Sequence, residues 1–170
     1  MPDATSPGGG LPLSAAPDAE VLRWRPLDVR AVNDNDVRGF VHSWYAAFER
    51  LERADFFLEH FDAGAVFGDC RTPDEFRSWY ADWRAHCPWD HHEVLDLAVA
   101  GSAPMGWRVE VLLRLVGEWL DDDAARDAGE PARLLDRYTR QTWALRHDGS
   151  GFRISRVDVQ TVRETRRHGS

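Results

Sequence analysis

Cysteine is nearly missing from this chain: Cys70 and Cys87 are the only two in 170 residues. Two cysteines build no disulfide framework, so a reducing, cytoplasmic setting is the default expectation. Long apolar runs are missing too. No stretch approaches the ~18 consecutive apolar residues that a membrane-spanning helix needs, and no membrane partner is expected. The N-terminus lacks a basic segment followed by an apolar one, so no secretory signal is visible. Positive charge is in deficit. Against 29 Asp and Glu stand 21 Lys and Arg, a formal net charge of −8, which argues against nucleic acid as a partner. Signatures of chemistry are equally scarce. There is no glycine-rich phosphate loop, nucleophile elbow, cysteine–histidine nucleophile pattern or internal repeat. His86, Cys87, Asp90, His91 and His92 are metal-ligand types, but neighbouring histidines on a strand face opposite ways and no ligand spacing is recognisable. Neither a metal nor a cofactor is expected.

What is present reads as one domain with extensions. Residues 1–20, rich in Pro, Gly, Ala and Ser, read as a disordered leader. Residues 21–33 are more apolar and read as an arm. From 34 to 163 the pattern is helical first and extended afterwards. Asn33–Asp36 offers helix caps, and Phe40, Val41, Trp44, Phe48 and Leu51 recur at helical spacing. A short second helix carries Phe56, Phe57, His60 and Phe61 and is broken by Asp62-Ala63-Gly64; Ala65–Phe67 then reads as a short strand. The third helix has the clearest start: Thr72 as cap, Pro73 in the first helical position, and Glu75 completing a capping box. Phe76, Trp79, Tyr80 and Trp83 form its stripe, and Pro88 stops it. Strands are predicted over about 90–100, 105–120, 133–147 and 151–163, with an acidic loop at 121–131 and a hairpin turn at Asp148–Gly151. The signal is clearest where Trp107, Val109, Val111, Leu113 and Leu115 alternate with Arg108, Glu110, Leu112 and Arg114, a period of two. Residues 164–170 read as a short basic tail. Helices followed by an antiparallel sheet predict an α+β fold.

Over roughly 34–163 this order resembles the nuclear transport factor 2-like superfamily, in its SnoaL-like and ketosteroid-isomerase-like branch. Trp44-Tyr45-Ala46-Ala47-Phe48 and His60–Asp69 follow that family's helix–helix–strand opening, and Met105–Val111 resembles a central strand of the isomerases. The resemblance implies a cone-shaped, curved antiparallel sheet packed on three N-terminal helices. It places Tyr45 at the oxyanion-binding tyrosine, Asp69 at the proton-shuttling base, and Gln141 where the isomerases have a protonated aspartate. A glutamine donates a hydrogen bond but is not that neutral acid. Scytalone-dehydratase-like relatives carry a histidine near Asp90-His91-His92-Glu93. That likeness favours His92, whereas the alternation of Leu95, Leu97 and Val99 turns His91 and Glu93 inward; a bulge would reconcile the two.

Trp107, Val109, Val111 and Trp143 are expected to line the concave face. Arg108, Glu110, Arg114, Tyr138, Arg140, Arg156 and Asp158 are expected on the outer face, through which members of the superfamily often dimerise; a homodimer is the expectation. The resemblance implies a cofactor-independent isomerase, cyclase or dehydratase acting on a small, apolar, carbonyl-bearing molecule by proton transfer. Asp69 would move the proton, Tyr45 would hold the oxyanion, and Gln141 and His92 would assist. Two other roles suit the same cone: a non-catalytic ligand-binding or protein-interaction module, and an accessory subunit of a ring-hydroxylating dioxygenase.

Overall fold

Helix α1, Asp34–Glu49, begins where its caps dictate. The Asn33 side chain accepts the Asn35 N–H at 2.9 Å, and the Asp36 carboxylate accepts the Asn33 N–H at 2.9 Å. Two otherwise unpaired donors of the first turn are thereby satisfied. Val37, Val41, Trp44, Tyr45 and Phe48 form its buried stripe. Leu51, expected on that stripe, is 53% exposed, because the helix ends at Glu49 and Leu51 turns the chain at φ 58°.

This computed structural model describes residues 32–121 and 132–168. The leader, the arm before Val32 and the acidic loop after Asp121 lie outside the described residues. Helix α2 is short, Ala54–Leu58. Strand β1, Phe61–Phe67, starts earlier than its sequence suggests. Asp62-Ala63-Gly64 does not end an element but forms an irregularity within one, and Gly64 takes φ 75°, a conformation open to glycine at little cost. Helix α3, Pro73–His86, carries the expected capping box between Thr72 and Glu75.

Four long strands complete the fold: β2, Asp90–Ser102; β3, Gly106–Trp119; β4, Arg133–His147; and β5, Phe152–His168. The sheet order is β1-β5-β4-β3-β2. Every pairing is antiparallel except β1 with β5, which is parallel and departs from the all-antiparallel expectation. Strand β5 also runs to His168, through residues that the sequence reads as a tail. Glu164 within it bonds Arg137 across to β4, which holds this end in the sheet. Register shifts at Val94/Asp96, Tyr138/Thr139 and Ala144/Leu145 interrupt the ladders. Such bulges bend strands and increase twist.

One face of the sheet and the helices share a core in which Val37, Val41, Phe57, Phe76, Val109, Val111, Trp143, Ile154 and Val157 are all but sealed from water. Helix α1 also blunts the free edge of β2. Arg38 donates to the Leu97 carbonyl at 2.6 Å, and Glu49 accepts the His92 N–H at 2.7 Å. Unpaired edge groups are a template for aggregation, and here side chains occupy two of them.

Candidate active site

A cavity of about 450 Å³ opens between the helices and the sheet. Its aromatic wall comes from Trp44, Phe48, Phe67, Trp79 and Trp83, and its floor from Leu113 and Leu115 of β3. Polar groups enter from α1 (Tyr45), β2 (His92) and β4 (Arg137, Thr139 and Gln141). The exposed residues Asp69, Arg71, Arg156 and Val159 mark its mouth. Sequence reasoning thus brings Tyr45, Asp69, His92 and Gln141 to one cavity, although not in equivalent surroundings.

Trp107, Val109, Val111 and Trp143 do not line it. They lie deeper along the same sheet face, 0–3% exposed, where the core fills that end completely. The open space starts one turn of the pleat further on, at Leu113 and Leu115. Arg156 and Asp158, expected on the outer face, border the mouth. The reason is local: β1 ends at Phe67, and the Gly68 N–H bonds the Val157 carbonyl at 2.8 Å, so the turn through Asp69 runs beside them.

Asp69 sits on that turn and is exposed. A general base for a carbon acid needs a partly desolvated carboxylate, and the mouth does not provide one. Cys70 is next to it. Burial, aided by the carboxylates of Glu75 and Asp69, pushes its thiol pKa up, away from the reactive thiolate.

Deeper in the cavity the bonding is determined by chemistry. Trp143 Nε1 is only a donor, and it meets the Gln141 side chain at 3.2 Å, so the atom facing it is the amide oxygen Oε1. Tyr45 Oη is 3.0 Å from the same oxygen and therefore donates its single proton to it. Gln141 Nε2 then points the other way and donates to Thr139 Oγ1 at 3.3 Å. A chain of bonds results, leaving the Thr139 hydroxyl proton and the second Gln141 amide proton for the cavity. Tyr45 offers a lone pair rather than the oxyanion-binding proton that the resemblance implies. Burial raises the phenol pKa far above its ordinary value, and the Trp143 indole N–H offsets this only partly, so Tyr45 stays protonated.

His92 is the inward histidine; its side chain is 6% exposed, whereas that of His91 is 60% exposed. The bulge between Val94 and Asp96 reconciles this with the alternation beyond it: Asp90, His92 and Val94 face in before it, Leu97 and Val99 after it, and Leu95 is turned out. The imidazole stacks on Tyr45 with centroids 5.4 Å apart. Behind it lies Asp90, which sequence reasoning placed only in a metal-like cluster. Asp90 Oδ2 accepts from the Trp83 indole at 2.9 Å and pairs with Arg84 at 3.1 Å. Asp90 Oδ1 and His92 Nδ1 make no hydrogen bond to the described residues, and the two sealed atoms face each other across 4.0 Å. A carboxylate there favours the proton on Nδ1, which leaves the Nε2 lone pair for the cavity. Burial pushes the His92 pKa down to about 4, against the opposing pull of Asp90 and Glu49. The ring is neutral near pH 7.

Arg84, Arg137 and Thr139 were missed by sequence reasoning. A signal existed for two of them: Arg137, Thr139, Gln141 and Trp143 follow one another at period two, and so share a sheet face. Arg84 carried none, since a cation in the last turn of a helix ordinarily serves the helix dipole. Among the described residues no three His, Cys, Asp or Glu side chains gather in an arrangement that could hold a metal ion, and no helix there is long and apolar enough to cross a membrane.

No protein-family model and no curated protein matches the chain. Solved structures do. A Novosphingobium aromaticivorans protein, provisionally named an aromatic ring hydroxylase, superimposes with a TM-score of 0.63 at 15% identity, over 78% of this chain and 91% of its own. Another from the same organism, provisionally named a scytalone dehydratase, gives 0.60 at 8% identity over 80% and 88%. A Caulobacter vibrioides protein with a cystatin-like fold gives 0.58 at 12% identity over 76% and 89%. The chain has the nuclear transport factor 2-like fold. At these identities the likeness establishes the nuclear transport factor 2-like architecture and leaves the activity to the site.

Proposed function

We propose that this protein is a cofactor-independent isomerase, cyclase or dehydratase that moves a proton on a small, largely apolar, carbonyl-bearing molecule in this cavity. One observation carries the reading: His92 lies at an aromatic-walled cavity with Nδ1 facing the buried Asp90 carboxylate and Nε2 left for substrate. When Nε2 takes a proton from carbon, Asp90 Oδ1 stands ready to stabilise the imidazolium that forms, and Arg84 and Trp83 keep Asp90 in place. Thr139 and Gln141 supply the free donors toward a developing oxyanion. In this reading His92 replaces Asp69 as the base, and Asp69 serves the mouth.

The test is deuterium exchange at the carbon next to the carbonyl of a neutral bicyclic ketone, followed by NMR in heavy water. Wild-type protein accelerates the exchange; His92→Gln loses on the order of 10²–10⁴ of that acceleration; Asp69→Asn keeps it. The reverse pattern would return the role of base to Asp69. No acceleration by the wild type would favour the competing reading, a non-catalytic ligand-binding module, which finds its support in Tyr45 having already given its proton to Gln141.

A cytoplasmic location and a homodimer belong to the same proposal. Cys70 and Cys87 are both free thiols. The outer sheet face sets half-buried Leu112 and Tyr138 among the pairs Arg108–Glu110 and Arg114–Asp136, which suits an interface. A monomer mass by light scattering at micromolar concentration would end the dimer proposal.

A further inference from the structure

We infer that the substrate or ligand of this cavity is a flat aromatic anion, its carboxylate or phenolate held by Arg137; this rests on the cavity being the functional site proposed above. The argument starts from register. His92 pairs with Leu115, Leu115 with Arg137, and Arg137 with Glu164, so the four form one row across the sheet. Two strand spacings of ~4.8 Å put the His92 and Arg137 backbones about 10 Å apart. Both side chains reach the cavity, and Leu115 lies between them as an apolar floor. A molecule spanning that row presents one end to His92 and the other to Arg137, with a planar body between floor and aromatic wall.

Arg137 is equipped to hold an anion. Its guanidinium lies over the Trp83 ring, 5.0 Å from the centroid. Nε donates to Glu164 at 2.6 Å, while Nη1 and Nη2 make no hydrogen bond to the described residues. A guanidinium with a free two-nitrogen edge matches a carboxylate in geometry and charge. Glu164 does not cancel that charge alone, because it also pairs with Arg166 at 2.8 Å. Arg137, Glu164 and Arg166 together leave one positive charge at this end of the cavity. Thr139 follows Arg137 on the same face of β4; its hydroxyl donates to none of the described residues and adds a second donor there. In a chain of net charge −8, this inward-facing cation and donor pair favours an anion over a neutral molecule of the same shape.

Isothermal titration calorimetry on the full chain, with 2-naphthoate and its neutral isostere 2-naphthamide, tests this. Wild type is expected to bind the naphthoate at least about tenfold more tightly, the scale of one charge-assisted contact. Arg137→Gln should bring the two affinities together without weakening the amide, and Arg137→Lys should restore part of the preference. Thermal melts check that each variant is folded; if Arg137→Gln is not, loss of the preference in folded wild type at high salt takes its place. Equal affinities in wild type, or no binding of either probe, overturn the anion assignment. A preference that survives in folded Arg137→Gln overturns the role of Arg137. Neither failure touches the His92 reading, which rests on exchange of a neutral ketone.

Discussion

The same sheet face behaves differently at its two ends. Toward the β2–β3 hairpin, Trp107, Val109 and Val111 of β3 meet Trp143 and Leu145 of β4 under Val37 and Val41 of α1, in the closed core. Further along the same two strands, Leu113, Leu115, Arg137, Thr139 and Gln141 face open space. Alternation is equally clean at both ends, so period two does not separate packing from pocket. Side-chain type does. The closed end is wholly apolar, and the open end interleaves Arg, Thr and Gln among its leucines. Buried polar groups are retained only where partners or function require them. Gln141 sits at the border and bonds to Trp143 on one side and Thr139 on the other.

The sharpest way to break this contrast is to truncate one large residue at each end. Trp143→Ala is expected to cost about 3–5 kcal/mol, because a sealed side chain leaves a cavity that rigid neighbours cannot fill. It also takes one donor from Gln141. Leu115→Ala should cost about 2 kcal/mol or less, below most buried leucines, because its outward side already faces the cavity. Urea denaturation measures both. Equal losses would mean that the open end is packed as tightly as the closed one in solution.

Much of the architecture was legible because it rests on local rules. The capping box of α3 is written in Thr72-Pro73-Asp74-Glu75, and the β3 alternation in every second residue. The parallel seam of β1 with β5 was not legible, since it joins residues nearly a hundred positions apart and β1 carries a bulge at Gly64 that reads as a break. For the site, Tyr45, His92 and Gln141 could be placed by pattern and resemblance. The Asp90–Arg84 support could not, because it depends on where the end of α3 lies against the start of β2. The state of Tyr45 was out of reach for a related reason: its proton is committed by Trp143, a neighbour it meets only in the folded chain.

The next contrast is one of charge. The closed end holds no titratable side chain, whereas the open end holds His92. Its folded pKa, about 4, lies below the unfolded value of 6.5. Above pH 6.5 both states hold a neutral ring and His92 has no effect on stability. Between 6.5 and 4 the unfolded chain takes up a proton that the folded one refuses, so stability falls as the pH falls. The full difference, 6.5 − 4 at ~1.36 kcal/mol per unit, is about 3 kcal/mol. Urea midpoints across this range should decline toward acid, and His92→Leu should flatten that part of the curve. An unchanged slope in His92→Leu would place the titrating group elsewhere.

The smallest effect falls on the border itself. Tyr45→Phe keeps the ring that stacks on His92 and removes only the hydroxyl. Gln141 Oε1 still accepts from Trp143 Nε1, so no buried acceptor is left without a partner. The loss is then that of one hydrogen bond, about 0.5–1.5 kcal/mol, without the added cost of an orphaned polar group. Proton exchange should drop modestly, because Thr139 and Gln141 remain as donors. A loss as large as that of His92→Gln would show that the Tyr45 proton leaves Gln141 when substrate arrives, and would restore the oxyanion role that the sequence resemblance implies for it.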